Sequence, residues 1–159
     1  MKKQEKTNVM RLLEQHGVAY QSHCYVGTGA LSGTEIAAAL GQDPAHVFKT
    51  LVTVGRSGKN YVFVVPVARE LELRKAAQAV GEKSVAMLPQ KQLLPLTGYV
   101  HGGCSPIGMK KPFPTVLDES ALMHDTILFS AGKIGYQVEL KPSDLQTLVP
   151  FTTADICET

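Results

Sequence analysis

The sequence predicts an α+β domain built on a mixed, strongly curved β-sheet flanked by helices. Strand-like segments rich in β-branched residues are separated by helix-like segments without a regular βαβ rhythm, which favours a mixed sheet. The chain has 159 residues, a common size for one domain. Apolar residues make up 44% of it and charges of both signs are interspersed, as in an ordinary globular protein. We therefore expect residues 1–159 to form a single domain around one core.

The N-terminal part of the chain predicts a helix followed by a strand. Thr7 or Asn8 can cap a helix over the next residues, and Gly17 suits its C-terminal end. Residues 18–26 then alternate between two faces, one of which holds Val18, Tyr20, Cys24 and Val26, as in a half-buried strand.

Two short helices are predicted ahead of Lys49. Ser32 and Glu35 match a capping box in front of the apolar residues 36–40, and Gly41 can end that helix. Asp43 and Pro44 resemble the N-cap and first position of a second, shorter helix. These two helices lead directly to Lys49.

A β-hairpin is predicted next, because residues 50–54 and 61–67 are β-branched or aromatic and residues 56–60 favour a turn. Residues 71–80 have helical composition, with Gly81 as the stop. Further elements are expected as a strand at 84–87, a helix at 89–96, strands at 115–117, 126–130 and 136–140, and a closing helix capped by Ser143.

A glycine-rich run occupies residues 97–108, with the sequence TGYVHGGCSPIG. Small side chains let a ligand approach the backbone, and glycine permits unusual dihedral angles, so such a run can present N–H donors to an oxygen-rich ligand. Its spacing matches neither the dinucleotide fingerprint nor the P-loop. The run predicts a binding site of a different kind.

Lys49 and Tyr25 each allow two interpretations. Lys49 stands where a helix passes into an apolar strand, so it is either a lysine with a packed stem at a strand end or a fixed cation for a carbonyl or phosphate oxygen. Tyr25 is either a half-buried aromatic residue or a phenol that hydrogen-bonds across a pocket mouth.

Metal binding and covalent catalysis find little support in the sequence. His23, His101 and Cys104 lack the spacing of a tetrahedral site. Covalent catalysis would require a hydrolase in which Cys104 or Ser105 is the nucleophile and a histidine is the base. It lacks both a nucleophile elbow and a carboxylate to orient the histidine. We expect no metal and no cofactor.

Cysteine usage, charge and the N-terminus suggest a cytoplasmic protein. The three cysteines are far apart and have no CxxC spacing, so they predict no disulfide framework. The basic start of the chain is followed by a segment too charged for a signal-peptide core, and no apolar run reaches membrane-spanning length. The net charge of +2 permits a nucleic-acid partner without requiring one.

Three motifs together resemble the bacterial YbaK/EbsC family. They are FKTL at residues 48–51, the glycine-rich run with the adjoining Lys110 and Lys111, and SAGK at residues 130–133 followed by Glu139. The family is similar to the editing domain of bacterial prolyl-tRNA synthetases. The resemblance implies a curved, barrel-like mixed sheet flanked by helices.

The function implied by this resemblance is removal of cysteine mischarged onto proline tRNA, with prolyl-tRNA synthetase as the implied protein partner. Cysteine and proline are close in size, so the synthetic site discriminates weakly between them and a second sieve is needed. The family is thought to use the substrate's own thiol to attack the ester, which agrees with the missing triad. Hydrolysis of the ester by water, in place of thiolactone release, also stays open as the reaction.

Residue roles follow from the resemblance. Lys49 matches an essential pocket lysine, Tyr25 a pocket tyrosine, and Gly102 a backbone position that must stay uncrowded beside the aminoacyl group; these three are the expected catalytic residues. Lys49 and the N–H groups of residues 102–105 would stabilise the oxyanion. The expected substrate-binding residues are Thr50, Thr97, Gly103, Ser105, Pro106, Lys110 and Gly132.

The sequence departs from the family pattern at two places that are expected to line or approach the pocket. Residues 27–33 are less acidic and less polar than in close deacylases, and Gln137 stands where some relatives carry an aspartate. Two other functions therefore stay open. One is a deacylase for another small aminoacyl group, such as alanine or serine, and the other is a non-catalytic module that binds tRNA or a synthetase.

Overall fold

The structure, a computed structural model, describes residues 6–159. Residues 1–5, on which part of the leader-peptide prediction depends, lie outside this range. Within it the helices are α1 (Asn8–Gln15), α2 (Gly33–Ala39), α3 (Leu73–Val80), α4 (Gln90–Thr97) and α5 (Pro142–Leu148). The strands are β1 (Gln21–Cys24), β2 (Phe48–Gly55), β3 (Asn60–Pro66), β4 (Val85–Met87), β5 (Thr115–Asp118), β6 (Ile127–Ser130), β7 (Tyr136–Leu140) and β8 (Phe151–Ala154). None of these helices is both long and apolar enough to cross a bilayer.

The strands form two sheets. The smaller sheet has the order β1-β7-β6 and is antiparallel throughout, whereas the larger has the order β4-β2-β3-β5-β8. In the larger sheet β2 pairs antiparallel with β3 and β4, while β5 pairs parallel with β3 and β8, so the predicted mixed α+β class is confirmed. The predicted barrel-like closure is wrong, because β4 and β8 remain edge strands. A parallel bridge between Val47 and Leu128 links the two sheets.

Strand β3 is buried on both faces, which explains its nearly continuous apolar sequence. On one face Val62 and Val64 pack in a core that includes Leu13 of α1 and Phe129 of β6. On the other face its alternate residues pack with α3 and with the C-terminal Ile156. The larger sheet therefore lies between helix α3 and a layer formed by α1 and the smaller sheet.

Local capping signals set most of the element boundaries. The Thr7 side chain caps α1, Ser32 and Glu35 form the predicted capping box of α2, and Gly81 ends α3 in a left-handed conformation. The predicted cap of α5 is wrong. Lys141 occupies the N-cap position without a side-chain hydrogen bond, and Pro142 takes the first helical position.

The strand expected over residues 18–26 is shorter than its pattern suggested. It spans only Gln21–Cys24, because the chain turns after Cys24, where the Thr28 N–H group donates to the Tyr25 carbonyl at 3.2 Å. Tyr25 is buried, whereas Cys24 and Val26 are exposed. Strand β8 was not predicted, because this four-residue edge strand is too short to show a clear period.

Candidate active site

A cavity of about 780 Å³ lies where the start of β2 meets the end of β6 and the start of β7. The bridge between Val47 and Leu128 holds these strands together. The first turn of α2, the end of β4, helix α4 and the 101–104 loop complete its wall. Four predicted site residues lie in its lining, namely Tyr25, Lys49, Thr50 and Gly102.

Lys49 occupies the second position of β2, directly opposite Val65 of β3. The preceding Phe48 is buried in the core, which fixes the strand at this point. The Lys49 side chain retains 28% exposure, and its Nζ lies 3.4 Å from Oε1 of Glu70. Lys49 is thus a partly desolvated cation on a rigid strand, which suits stabilisation of a developing negative charge.

The Thr50 hydroxyl is a polar group without a protein partner. Its Oγ1 is buried and makes no hydrogen bond to any residue in the 6–159 range. Leaving such a group unpaired costs about 1–3 kcal/mol. Because Thr50 lines the cavity, a bound ligand is the natural partner for this hydroxyl.

Tyr25 and Gly102 lie in two loops that line the cavity. The Tyr25 backbone is fixed by an N–H bond to the Gly135 carbonyl at 2.8 Å, and no residue of the described chain accepts a bond from its hydroxyl. Gly102 has a φ of +87°, a left-handed conformation that side chains resist. This conformation turns the loop without placing a side chain at the cavity wall.

The predicted bed of backbone donors is smaller than expected. The Gly103 N–H group donates to the Val100 carbonyl at 3.0 Å, so the turn itself uses it. The N–H groups of Gly102 and Cys104 make no such bond within the described chain. Only part of the 102–105 backbone is therefore free to bind an oxyanion.

The other predicted substrate-binding residues do not line the cavity. Thr97 is buried and closes α4, since its Oγ1 donates to the Leu93 carbonyl at 2.7 Å. Ser105 is fully buried and accepts from the Ile107 N–H at 3.3 Å, and the neighbouring Pro106 is buried as well. These three residues shape the loop from within, and a contact with substrate stays a prediction.

Lys110, Gly103 and Gly132 also lie outside the described cavity lining. Lys110 Nζ lies 3.4 Å from the Pro95 carbonyl near the end of α4. Gly103 packs against the backbone nitrogen of Ile134, which a Cβ atom would approach to 3.2 Å. Gly132 packs against Val9 and Tyr99. The close packing at Gly103 and Gly132 leaves little room for a side chain.

His101 and Cys104 both line the cavity but form no activated pair. No hydrogen bond joins them, and burial raises the pKa of the Cys104 thiol to about 12, so it is protonated at neutral pH. Across residues 6–159, no three His, Cys, Asp or Glu side chains converge as metal ligands would.

Several lining residues were not anticipated from the sequence. Glu70 pairs with Lys49, and Leu88 and Leu93 form part of an apolar wall. No sequence period connects these positions with Lys49. Gln137 and the 27–33 segment, by contrast, were expected to line or approach the pocket. Gln137 does line it, and so do Leu31, Ser32 and Gly33 of that segment.

Comparison with known proteins identifies the class of this site. Residues 29–148 match a family model described as an aminoacyl-tRNA editing domain. An Enterococcus faecalis protein, provisionally named as the Cys-tRNA(Pro)/Cys-tRNA(Cys) deacylase EbsC, is 47% identical over 156 residues, covering 98% of this chain and 95% of that protein.

Solved structures agree with this match. One, described provisionally as a trans-editing enzyme for prolyl tRNA synthetase, has a TM-score of 0.84 at 28% identity and covers 95% of each chain. The hypothetical protein APE2540 has a TM-score of 0.85 at 23% identity, covering 94% of this chain and 99% of that one, and supports the fold alone.

Fold and cavity together define a small α+β protein with a cavity of about 780 Å³ beside one partly buried lysine. The chain belongs to the aminoacyl-tRNA editing domain family, because the family model spans most of its length.

Proposed function

We propose that this protein is a trans-editing deacylase that removes cysteine from mischarged Cys-tRNA(Pro). The observation that carries the proposal is the grouping of Tyr25, Lys49, Thr50 and Gly102 around one cavity whose described lining has no activated nucleophile. The 47% identity to the Enterococcus faecalis protein supports cysteine as the aminoacyl group.

The substrate's own thiol is the proposed nucleophile. Its sulfur attacks the carbonyl carbon of the aminoacyl ester, a C–S bond forms, and the bond to the ribose oxygen breaks. The thiol proton passes to that oxygen, so the products are a cyclic thiolactone and deacylated tRNA. The protein then needs only to hold the thiol near the carbonyl and to stabilise the oxyanion.

The lining residues divide this work. The Lys49 ammonium stabilises the oxyanion, together with the free N–H groups of Gly102 and Cys104. The Thr50 hydroxyl supplies a hydrogen bond to the bound aminoacyl group, and Tyr25 orients the adenosine end. Leu88 and Leu93 give the cavity an apolar wall that suits a small, uncharged side chain.

The proposal extends to the whole chain and its surroundings. Residues 1–159 form one editing domain, since Val9 and Leu13 before the family match and Ile156 after it pack in the cores. Mischarged tRNA is the substrate, and prolyl-tRNA synthetase, which produces it, is the proposed partner in the cytoplasm. The synthetase should lower the KM for Cys-tRNA(Pro) in a mixed assay.

A panel of charged tRNAs tests the reaction. We expect rapid deacylation of Cys-tRNA(Pro), with Ala-tRNA(Pro) and Pro-tRNA(Pro) left intact. S-methylcysteinyl-tRNA(Pro) should resist cleavage, because its sulfur cannot give up a proton. Equal cleavage of the S-methyl substrate would refute the thiol route, preference for alanine would change the substrate, and tight tRNA binding without turnover would show a binding module.

A further inference from the structure

A pair of glutamine side chains connects helix α2 with the cavity wall. Gln42 Nε2 donates to Gln137 Oε1 at 2.9 Å, across 95 residues of sequence. Gln137 lines the cavity and is only 4% exposed. The pair is therefore a partly buried polar contact at the cavity wall.

Both glutamines are held by the backbone around them. Gln42 follows α2, and its N–H group donates to the Ala37 carbonyl at 2.8 Å, which fixes the end of the helix. Gln137 lies in the middle strand of the smaller sheet, opposite His23 of β1 and Ser130 of β6. The distance between the two side chains is thus set by rigid elements.

The hydrogen bond orients the Gln137 amide. Its oxygen is used by Gln42, and its nitrogen makes no bond to another residue in the described part of the chain, so the two N–H donors are left for the cavity. Gln42 Oε1 is buried without a partner in the same range of residues. An unpaired buried acceptor lowers the stability of the fold. Two apolar side chains at positions 42 and 137 would leave no acceptor unpaired, so stability alone does not account for this contact.

The described lining of the cavity holds two charged side chains of opposite sign. These two charged side chains of the described lining are Lys49 and Glu70, and they pair with each other. The described lining holds no carboxylate besides Glu70. A fixed N–H donor at this wall complements a carbonyl or hydroxyl oxygen and disfavours an ammonium group.

We infer that Gln137 donates a hydrogen bond to an oxygen of the bound aminoacyl ester, and that Gln42 is a positioning residue that keeps the Gln137 donors turned into the cavity. This inference rests on the proposed function. It adds a neutral recognition group to Lys49 and assigns a role to a residue outside the cavity lining.

Substitutions at Gln42 test the orientation. Gln42→Met removes the anchor, and kcat/KM for Cys-tRNA(Pro) should fall about fivefold to tenfold. Gln42→Glu keeps a hydrogen bond but can only accept one. It should turn the Gln137 nitrogen away from the cavity and reduce kcat/KM more than Gln42→Met does. Gln137→Glu should lose activity at neutral pH and regain part of it as the new carboxyl is protonated, whereas Gln137→Met should show no such regain.

Thr53→Val is the matched control for loss of a buried hydrogen bond. Thr53 Oγ1 donates to the Tyr61 carbonyl at 3.0 Å, outside the cavity lining. This variant should lower stability without changing kcat/KM. If Gln42→Glu keeps wild-type kcat/KM while the wild type deacylates Cys-tRNA(Pro), the inference is wrong and the proposed function stands.

A binding measurement separates the two proposals if the wild type cleaves none of the charged tRNAs. The probe is 3′-deoxy-3′-cysteinylamino-adenosine, whose amide replaces the ester and resists cleavage. The side-chain ¹H–¹⁵N resonances of Gln137 should shift on titration in the wild type and not in Gln42→Glu. The absence of a wild-type shift, or an equal shift in both proteins, would overturn the inference.

Discussion

Lys49 and Glu70 form an ion pair at the mouth of the cavity, with 3.4 Å between Nζ and Oε1. The two partners differ in exposure, since 28% of the Lys49 side chain and 72% of the Glu70 side chain reach solvent. Lys49 is held on a strand, whereas Glu70 can leave the contact at little cost. The pair therefore offsets the charge of Lys49 without holding Glu70 in a fixed position.

Glu70→Gln should leave the fold almost unchanged. An exposed ion pair contributes about 1 kcal/mol or less, so the free energy of unfolding in urea should change by no more than that. Because Glu70 competes with the substrate for Lys49, kcat/KM for deacylation should stay level or rise. A marked fall in kcat/KM would instead make Glu70 part of the mechanism.

Lys49→Met should nearly abolish deacylation. Methionine keeps an apolar stem but removes the charge, and loss of one oxyanion-stabilising donor lowers kcat by about 100- to 1,000-fold. Single-turnover deacylation of Cys-tRNA(Pro) measures the effect. Lys83→Met, at an exposed lysine outside the cavity, is the control and should behave as wild type. Near-wild-type turnover by Lys49→Met would remove this lysine from the mechanism.

The three cysteines should differ sharply in reactivity. Burial raises the pKa of both Cys104 and Cys157 to about 12, whereas Cys24 is exposed. Iodoacetamide at neutral pH should therefore alkylate Cys24 first, and peptide mass spectrometry can locate the label. Cys24→Ser should remove the fast phase. Cys104→Ala should retain deacylation, and preferential labelling of Cys104 would contradict its assignment as an unreactive thiol.

Glu139 should contribute to the loss of stability in acid. Burial, the largest influence, raises the pKa of its carboxyl, but hydrogen bonds from Thr126 and His23 together outweigh it, with further help from the charges of His23 and His46. The net result is a pKa below the ordinary 4.5. Because the folded state favours the charged form, this stabilisation is present above that pH and is lost as pH falls through the lowered value.

Glu139→Gln should flatten this part of the pH profile. As pH falls from above 4.5 through the lowered pKa of Glu139, the wild type should lose more unfolding free energy than the variant. Urea titrations at several pH values measure the difference. Glu119→Gln, at an exposed carboxylate, should keep the wild-type slope. Equal slopes for wild type and Glu139→Gln would contradict the prediction.

Gly132→Ala should destabilise the fold through both strain and overlap. Gly132 has a φ of +87°, and an added Cβ would lie 2.9 Å from Val9 Cγ2 and 3.0 Å from Tyr99 Cε1. Gly58 has a φ of +91°, and a Cβ atom added there would meet no neighbouring atom. Gly58→Ala therefore measures the backbone strain alone, and we expect it to lower the free energy of unfolding by about 1 kcal/mol. The loss for Gly132→Ala should exceed it by roughly 1–3 kcal/mol. Equal losses of stability in the two variants, measured by thermal unfolding, would show that Val9 and Tyr99 move aside to accommodate the new Cβ atom.

The sequence predicted the hairpin and the capped helices because the interactions that define them are local. Ser32 and Glu35 cap each other within one turn, and the two strands of the hairpin join through four residues. The short strand β8 and the cap of α5 were missed or misplaced because their local signals are weak. Resemblance to a family, rather than periodicity, singled out Tyr25, Lys49 and Gly102.

The sequence by itself determined the α+β class, most helix and strand positions and the presence of a lysine at the start of a buried strand. Tertiary structure alone decided that the sheets stay open, that Thr97 and Ser105 turn inward, and that Glu70 joins the cavity wall. Neighbours along the chain fix caps and turns. Contacts such as that between Gln42 and Gln137 depend instead on strand register and on packing between layers, which no local pattern encodes.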